Sequence, residues 1–99
     1  MILDLDLQKN KTNILNLLMP LTNEQRLISA ISKIGPPNDP KSQLAIENEF
    51  VEDVITDACE FSNDTKFLWD SMTEDERSKT KDIIQKKAKV LLKKYKANR

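Results

Sequence analysis

Residues 39–61 read DPKSQLAIENEFVEDVITDACEF, and this segment organises the rest of the chain. Asp39 followed by Pro40 has the residue types of a helix N-cap and first helical position. Apolar side chains then recur at helical spacing and cover a wide arc: Leu44, Phe50, Val51, Val54, Ile55, Ala58 and Phe61. So wide an arc predicts a central helix that contacts neighbours on two sides.

A strong break precedes this helix, because residues 35–40 read GPPNDP and hold the only glycine of the chain. Gly35 stands where a preceding helix needs a residue with positive φ after its last turn. Thr22 and Gln25 have the spacing of a capping box at the start of that helix. Its predicted apolar face consists of Leu27, Ala30, Ile31 and Ile34.

Two further helix starts follow the central segment. Asn63 or Asp64 can cap a short helix that runs through Trp69. Thr73 and Glu76 form a second capping box, which predicts a long basic helix over residues 74–97. Its apolar face is predicted to consist of Ile84, Ala88, Leu91, Leu92 and Tyr95.

The N-terminal residues fit two conformations. Leu3, Leu5 and Leu7 alternate with acidic residues as in a strand, whereas Leu3, Leu7, Ile14 and Leu21 also fit a helical stripe. Residues 1–11 are therefore predicted to be a helix or an extended arm, which could add to the sheet edge of a partner. The fold class predicted for residues 1–99 is an all-α single-domain bundle with four main helices and one short helical segment.

Composition excludes several classes of function. The chain has 99 residues, no His, one Cys and one Gly. A Cys/His zinc site, a His-based catalytic triad, a disulfide framework and a glycine-rich phosphate loop are all impossible with these residues. We therefore expect no metal and no cofactor, and a protein that is not an enzyme.

The formal net charge of zero conceals two opposed blocks. Residues 39–76 carry two basic and twelve acidic side chains, a net charge of −10, and residues 77–99 carry ten basic and one acidic, a net charge of +9. On helical wheels the acidic block forms a candidate acidic surface of Glu49, Glu52, Asp53 and Glu60. The basic block forms a candidate basic surface of Lys79, Lys86, Lys89, Lys93 and Lys96. These surfaces are expected to point outward on different sides.

The aromatic side chains of the short segment allow two interpretations. Trp69 and Phe67 either close the end of the helical core or, where exposed, form a hydrophobic contact for a partner. Together with the charged surfaces, they favour a non-enzymatic interaction protein, an accessory subunit or regulator that binds another protein. The alternative is a DNA- or RNA-binding protein that uses the lysine stripe of the last helix.

The chain shows no signal peptide and no apolar stretch long enough to cross a bilayer, which predicts an intracellular protein without a membrane partner. A homodimer is a further possibility, because the wide apolar arc of the central helix can serve a second copy as readily as an intramolecular neighbour.

Overall fold

A computed structural model describes residues 14–97 and confirms the all-α prediction, with no strand in that range. Helical residues 14–18 lead into a 3₁₀ turn, Met19–Leu21. Four α-helices follow: α1 (Glu24–Ile34), α2 (Pro40–Phe61), α3 (Asn63–Ser71) and α4 (Glu74–Ala97). The predicted arm, residues 1–11, lies outside the described residues.

Helix α2 lies at the centre of the bundle, as its wide apolar arc predicts. It contacts α1 and α4, and also α3, which follows it directly. The described domain is elongated, with extents of 51 × 22 × 21 Å. Helix α3 packs against the core through the partly buried Leu68 and Trp69. The buried core residues come from the other helical segments and from the end of α3: Ile14, Leu18, Leu27, Ala30, Ile46, Phe50, Val51, Val54, Ile55, Ala58, Met72, Ile84, Ala88, Leu91 and Leu92.

Three residues assigned to apolar faces are in fact exposed. Ile34 is the last residue of α1 and Phe61 the last of α2, so neither has a neighbouring helix beyond it. Leu44, in the first turns of α2, is 51% exposed, whereas the neighbouring Ile46 is fully buried. The middle of the α2 arc is covered by helices of the same chain, so it is not free to form a homodimer contact.

Most of the predicted helix starts and ends are confirmed. The Asp39 carboxylate accepts a hydrogen bond from the Ser42 amide at 2.7 Å, and Pro40 follows as the first residue of α2. Thr73 and Glu76 exchange the two hydrogen bonds of a capping box, at 2.8 and 3.1 Å. Gly35 has φ of 125°, and its amide donates to a carbonyl of the last turn of α1 at 2.7 Å.

Two predicted N-caps are wrong by one or two residues. Asn23, and not Thr22, caps α1, and its side chain accepts from the Arg26 amide at 3.0 Å. The Thr22 hydroxyl instead donates to a carbonyl of the preceding 3₁₀ turn. Ser62, and not Asn63 or Asp64, caps α3. The backbone of Ser62 is extended, so this residue is both the C-cap of α2 and the N-cap of α3.

None of the described helices is both long enough and apolar enough to cross a lipid bilayer.

Candidate functional site

Two of the four members of the candidate acidic surface are matched by a lysine from α1. Lys33 lies 3.4 Å from the Glu49 carboxylate and 3.2 Å from that of Asp53. The hydrogen bond to Asp53 raises the pKa of Lys33 above its ordinary value, and Glu49 adds to the effect. One turn farther along α2, Asp57 forms a salt bridge with Arg26. The structure therefore brings Glu49 and Asp53 together, but around a lysine of the same chain.

The two other members of the acidic surface lie apart from this cluster. Glu52 faces α4 and lies 3.6 Å from the Lys81 ammonium. Glu60 is exposed near the C-terminal end of α2. Within residues 14–97, no group of three carboxylate or thiol side chains is placed to hold a metal ion. The acidic residues therefore mainly join α2 to its neighbours.

The candidate basic surface keeps more of its charge open to solvent. Lys86, Lys93 and Lys96 are exposed, and none of them forms an ion pair with a carboxylate in the described range. Lys79 differs, because its ammonium lies 3.2 Å from Asp75 one turn earlier on the same helix. The open positive charge is therefore concentrated in the C-terminal half of α4.

The fifth predicted lysine, Lys89, is held by a buried carboxylate. Glu47 on α2 is only 6% exposed, accepts a hydrogen bond from the Gln85 amide at 3.0 Å, and lies 4.0 Å from the Lys89 ammonium. A buried carboxylate needs such partners to offset its lost hydration. Sequence reasoning missed this role for Glu47, although its spacing of four residues from Val51 places it on the apolar arc.

A groove runs between the start of α2 and the end of α4, with a volume of about 410 Å³. Three members of the candidate basic surface line it, so the folding of α4 against α2 brings them to one concave site. The lining residues are Gln43, Glu47, Lys89, Leu92, Lys93 and Lys96. We call this site the lysine groove. Its shape and charge suit an anionic, extended ligand.

A second groove lies at the other end of α4 and has a volume of about 550 Å³. It is lined by Trp69, Glu74, Arg77, Ser78 and Lys81, and we call it the Trp69 groove. Trp69 packs partly against the core, as the closing role predicts. Phe67, on the same short helix, is 73% exposed and does not close the core, which leaves it available as a hydrophobic contact.

Cys59 is the only thiol of the chain and is half-buried at the margin of the core. Burial raises the pKa of this thiol above its ordinary value, and the nearby Asp70 carboxylate acts in the same direction. A raised pKa lowers the thiolate fraction at neutral pH, so Cys59 is a poor nucleophile.

Comparison with known protein families gives a match over most of the chain. A family model described as T4 RNA ligase 2 C-terminal matches residues 5–93. This range includes α1, α2 and α3 and most of α4. No curated protein and no solved structure matches the chain.

Proposed function

We propose a function from the family to which the chain belongs, the T4 RNA ligase 2 C-terminal family. The chain is proposed to be a non-catalytic RNA-binding module that works beside the catalytic part of an RNA-joining enzyme. The observation that carries this proposal is the open positive charge of α4. Lys86, Lys93 and Lys96 have no described carboxylate to neutralise them, and two of these lysines line the lysine groove.

Unpaired lysines on a helix are suited to RNA phosphates. Each ammonium that neutralises a phosphate releases a condensed counterion, and this release favours binding at moderate salt. Glu47 and Gln85 support the arrangement, because they hold the middle of α4 against α2 and keep Lys89 at the edge of the groove. The groove is therefore a preformed basic surface.

The type of cation indicates how the RNA is bound. Lysine contacts phosphate as a point charge, whereas bidentate arginine contacts are the common means of reading a base. The lysine groove contains no arginine. We therefore propose contacts with the RNA backbone that do not depend on base sequence, as a protein that joins RNA strands requires.

The chain itself is proposed to contribute binding and not catalysis. It contains no histidine, and its one thiol is disfavoured as a thiolate. Catalytic lysines are usually activated by burial, whereas the lysines of the groove lie at the protein surface. An RNA-binding role also fits the intracellular location that the sequence predicts.

The experiment is a titration of a labelled RNA duplex followed by fluorescence anisotropy. Reversal of two charges, Lys86→Glu with Lys93→Glu, should weaken binding by about 60-fold or more near 0.1 M salt, since each lost phosphate contact costs roughly eightfold at that concentration. Lys66→Gln is the control, because Lys66 is an exposed lysine of α3 that lines neither groove. Unchanged affinity in the double variant, with its helicity intact, would contradict the proposal.

A protein partner is the second candidate function, and exposed aromatic side chains favour it. Phe61 is 85% exposed and Phe67 is 73% exposed, which is unusual for phenylalanine on a small domain. An accessory subunit or regulator would use such side chains as contacts, and Phe61 could also serve a homodimer. A pull-down with and without nuclease tests this candidate: a partner that survives nuclease and is lost with Phe67→Ser supports it, whereas recovery only with nucleic acid contradicts it.

A further inference from the structure

We propose that the Trp69 groove binds one unpaired nucleotide at the end of an RNA strand held along α4. The base stacks on the Trp69 indole, and the phosphate contacts Arg77 and Lys81. This inference rests on the proposed RNA-binding function and adds to it a separate site, with a different chemistry, at the opposite end of the helix.

Trp69 has the surroundings of a stacking platform. One part of the side chain packs against the core, and another part lines the groove. The core contact holds the indole in place, so little conformational entropy is lost when a base stacks on it. Aromatic side chains bind unstacked RNA bases in this way, without regard to base identity. A groove of about 550 Å³ is within the range of small-ligand sites.

Arg77 supplies a cation that is not engaged elsewhere. Its Nε is buried without a hydrogen-bond acceptor in the described part of the chain, and no described carboxylate forms an ion pair with it. A guanidinium matches phosphate geometry through paired N–H donors. A small rotation of the side chain toward a phosphate in the groove would give these donors an acceptor.

Lys81 lies one turn after Arg77 and is the second cation of the groove. Its partner is Glu52 at 3.6 Å, and both side chains are substantially exposed, so this pair is weak and a phosphate can replace it. Glu74 is the one carboxylate that lines the groove, and it opposes an anionic ligand. The two cations outnumber it once a phosphate replaces Glu52 beside Lys81.

A row of polar and basic side chains connects the two grooves along α4. Arg77, Lys81, Gln85, Lys89 and Lys93 follow one another at intervals of four residues, so each is next to the following one, and the row winds about 40° around the helix axis at every step. The pairs of Lys81 and Lys89 with carboxylates of α2 show that the middle of this row lies beside α2. Arg77 and Lys93 are about 24 Å apart along the axis. A strand bound at the lysine groove that follows this row around α4 reaches Trp69, where its terminal nucleotide stacks.

The test compares two RNAs that differ only at one end: a blunt duplex, and the same duplex with a short single-stranded extension. Trp69 is the only tryptophan of the chain, so its fluorescence reports directly on the site. We expect the extension to quench this fluorescence and to tighten binding about tenfold over the blunt duplex.

Variants separate stacking from general binding. Trp69→Leu should remove the gain in affinity that the single-stranded extension provides, while leaving the affinity for the blunt duplex unchanged. Phe67→Leu, at an exposed aromatic of the same helix outside the groove, should leave the gain intact. Because Trp69→Leu alters a core contact, a second test changes the two cations of the groove, Arg77→Gln together with Lys81→Gln. This double variant should lose most of the gain in affinity. Glu74→Gln should increase the gain.

Equal binding of the two RNAs with unquenched fluorescence would overturn the Trp69 site and leave the lysine groove standing. Failure of both RNAs to bind would overturn the two proposals together. A gain that survives both the tryptophan and the double cation variants would also overturn the site, because the extension would then bind elsewhere.

Discussion

Neutralising a single lysine should change how steeply RNA binding depends on salt. Lys93→Gln is the chosen change, because Lys93 lines the lysine groove and has no carboxylate partner in the described range. Counting the three unpaired lysines of the candidate basic surface, Lys86, Lys93 and Lys96, as one phosphate contact each gives a slope of log affinity against log salt of about −2.7. Lys89 is left out of this count, because Glu47 already lies beside it.

The slope converts into a measurable loss of affinity. Between about 50 and 200 mM salt, three contacts predict a loss of roughly 40-fold, and two contacts, as in Lys93→Gln, predict a loss of roughly 12-fold. Anisotropy titrations of an RNA duplex across this salt range measure both slopes. Two results would refute the reasoning: a variant that binds more weakly by the same factor at every salt concentration, or an equal change of slope in Lys66→Gln, whose charge lies on α3 outside both grooves.

Three further predictions concern stability. Phe50 is fully buried at the centre of α2, so Phe50→Ala should lower the free energy of unfolding by about 3–5 kcal/mol in urea denaturation, and a loss below 1 kcal/mol would contradict its central place. Gly35→Ala should lower the free energy of unfolding by about 1 kcal/mol or more, because φ of 125° is strained for alanine. Steric overlap is not the cause, since nothing lies within 4 Å of the added methyl group. An unchanged midpoint of urea unfolding would contradict this prediction. Hydrogen bonds from Ser42 hold the pKa of Asp39 below its ordinary value of 3.8, so this carboxylate stabilises the fold above that pH and ceases to do so as the pH falls through its folded-state pKa. Asp39→Asn keeps a capping side chain that does not titrate, and it should lose less stability than the natural chain between about pH 5 and pH 2, measured by urea unfolding followed by circular dichroism.

Local signals in the sequence were sufficient for most of the secondary structure. Helix boundaries were predicted from Asp39–Pro40, the Thr73–Glu76 capping box and Gly35. These signals act through hydrogen bonds and backbone angles within a few residues, so their effect can be predicted without knowing the tertiary structure. The N-caps at Asn23 and Ser62 were missed, because several neighbouring residues could serve and the packing of the preceding helical turn selects one.

The predicted apolar faces are buried in the middle of each helix, but some of their residues near the helix ends are exposed. Helical spacing shows which side chains share a face, but not where the neighbouring helix stops. Leu44 and Phe61 lie on the correct side of α2 and are nevertheless exposed. Glu47 shows the opposite error, since a carboxylate at an apolar position was interpreted as part of the acidic composition and is in fact buried beside Gln85.

The sequence by itself determined an all-α chain, its helices and the separation of its charges, because helix propensity, capping and periodicity act over a few residues. Only the tertiary structure decided which charges remain open. Lys33 and Arg26 reach α2 and satisfy its carboxylates, whereas Lys86, Lys93 and Lys96 meet no described carboxylate. That difference depends on which faces of neighbouring helices meet and at what register, and such contacts join residues far apart in the chain.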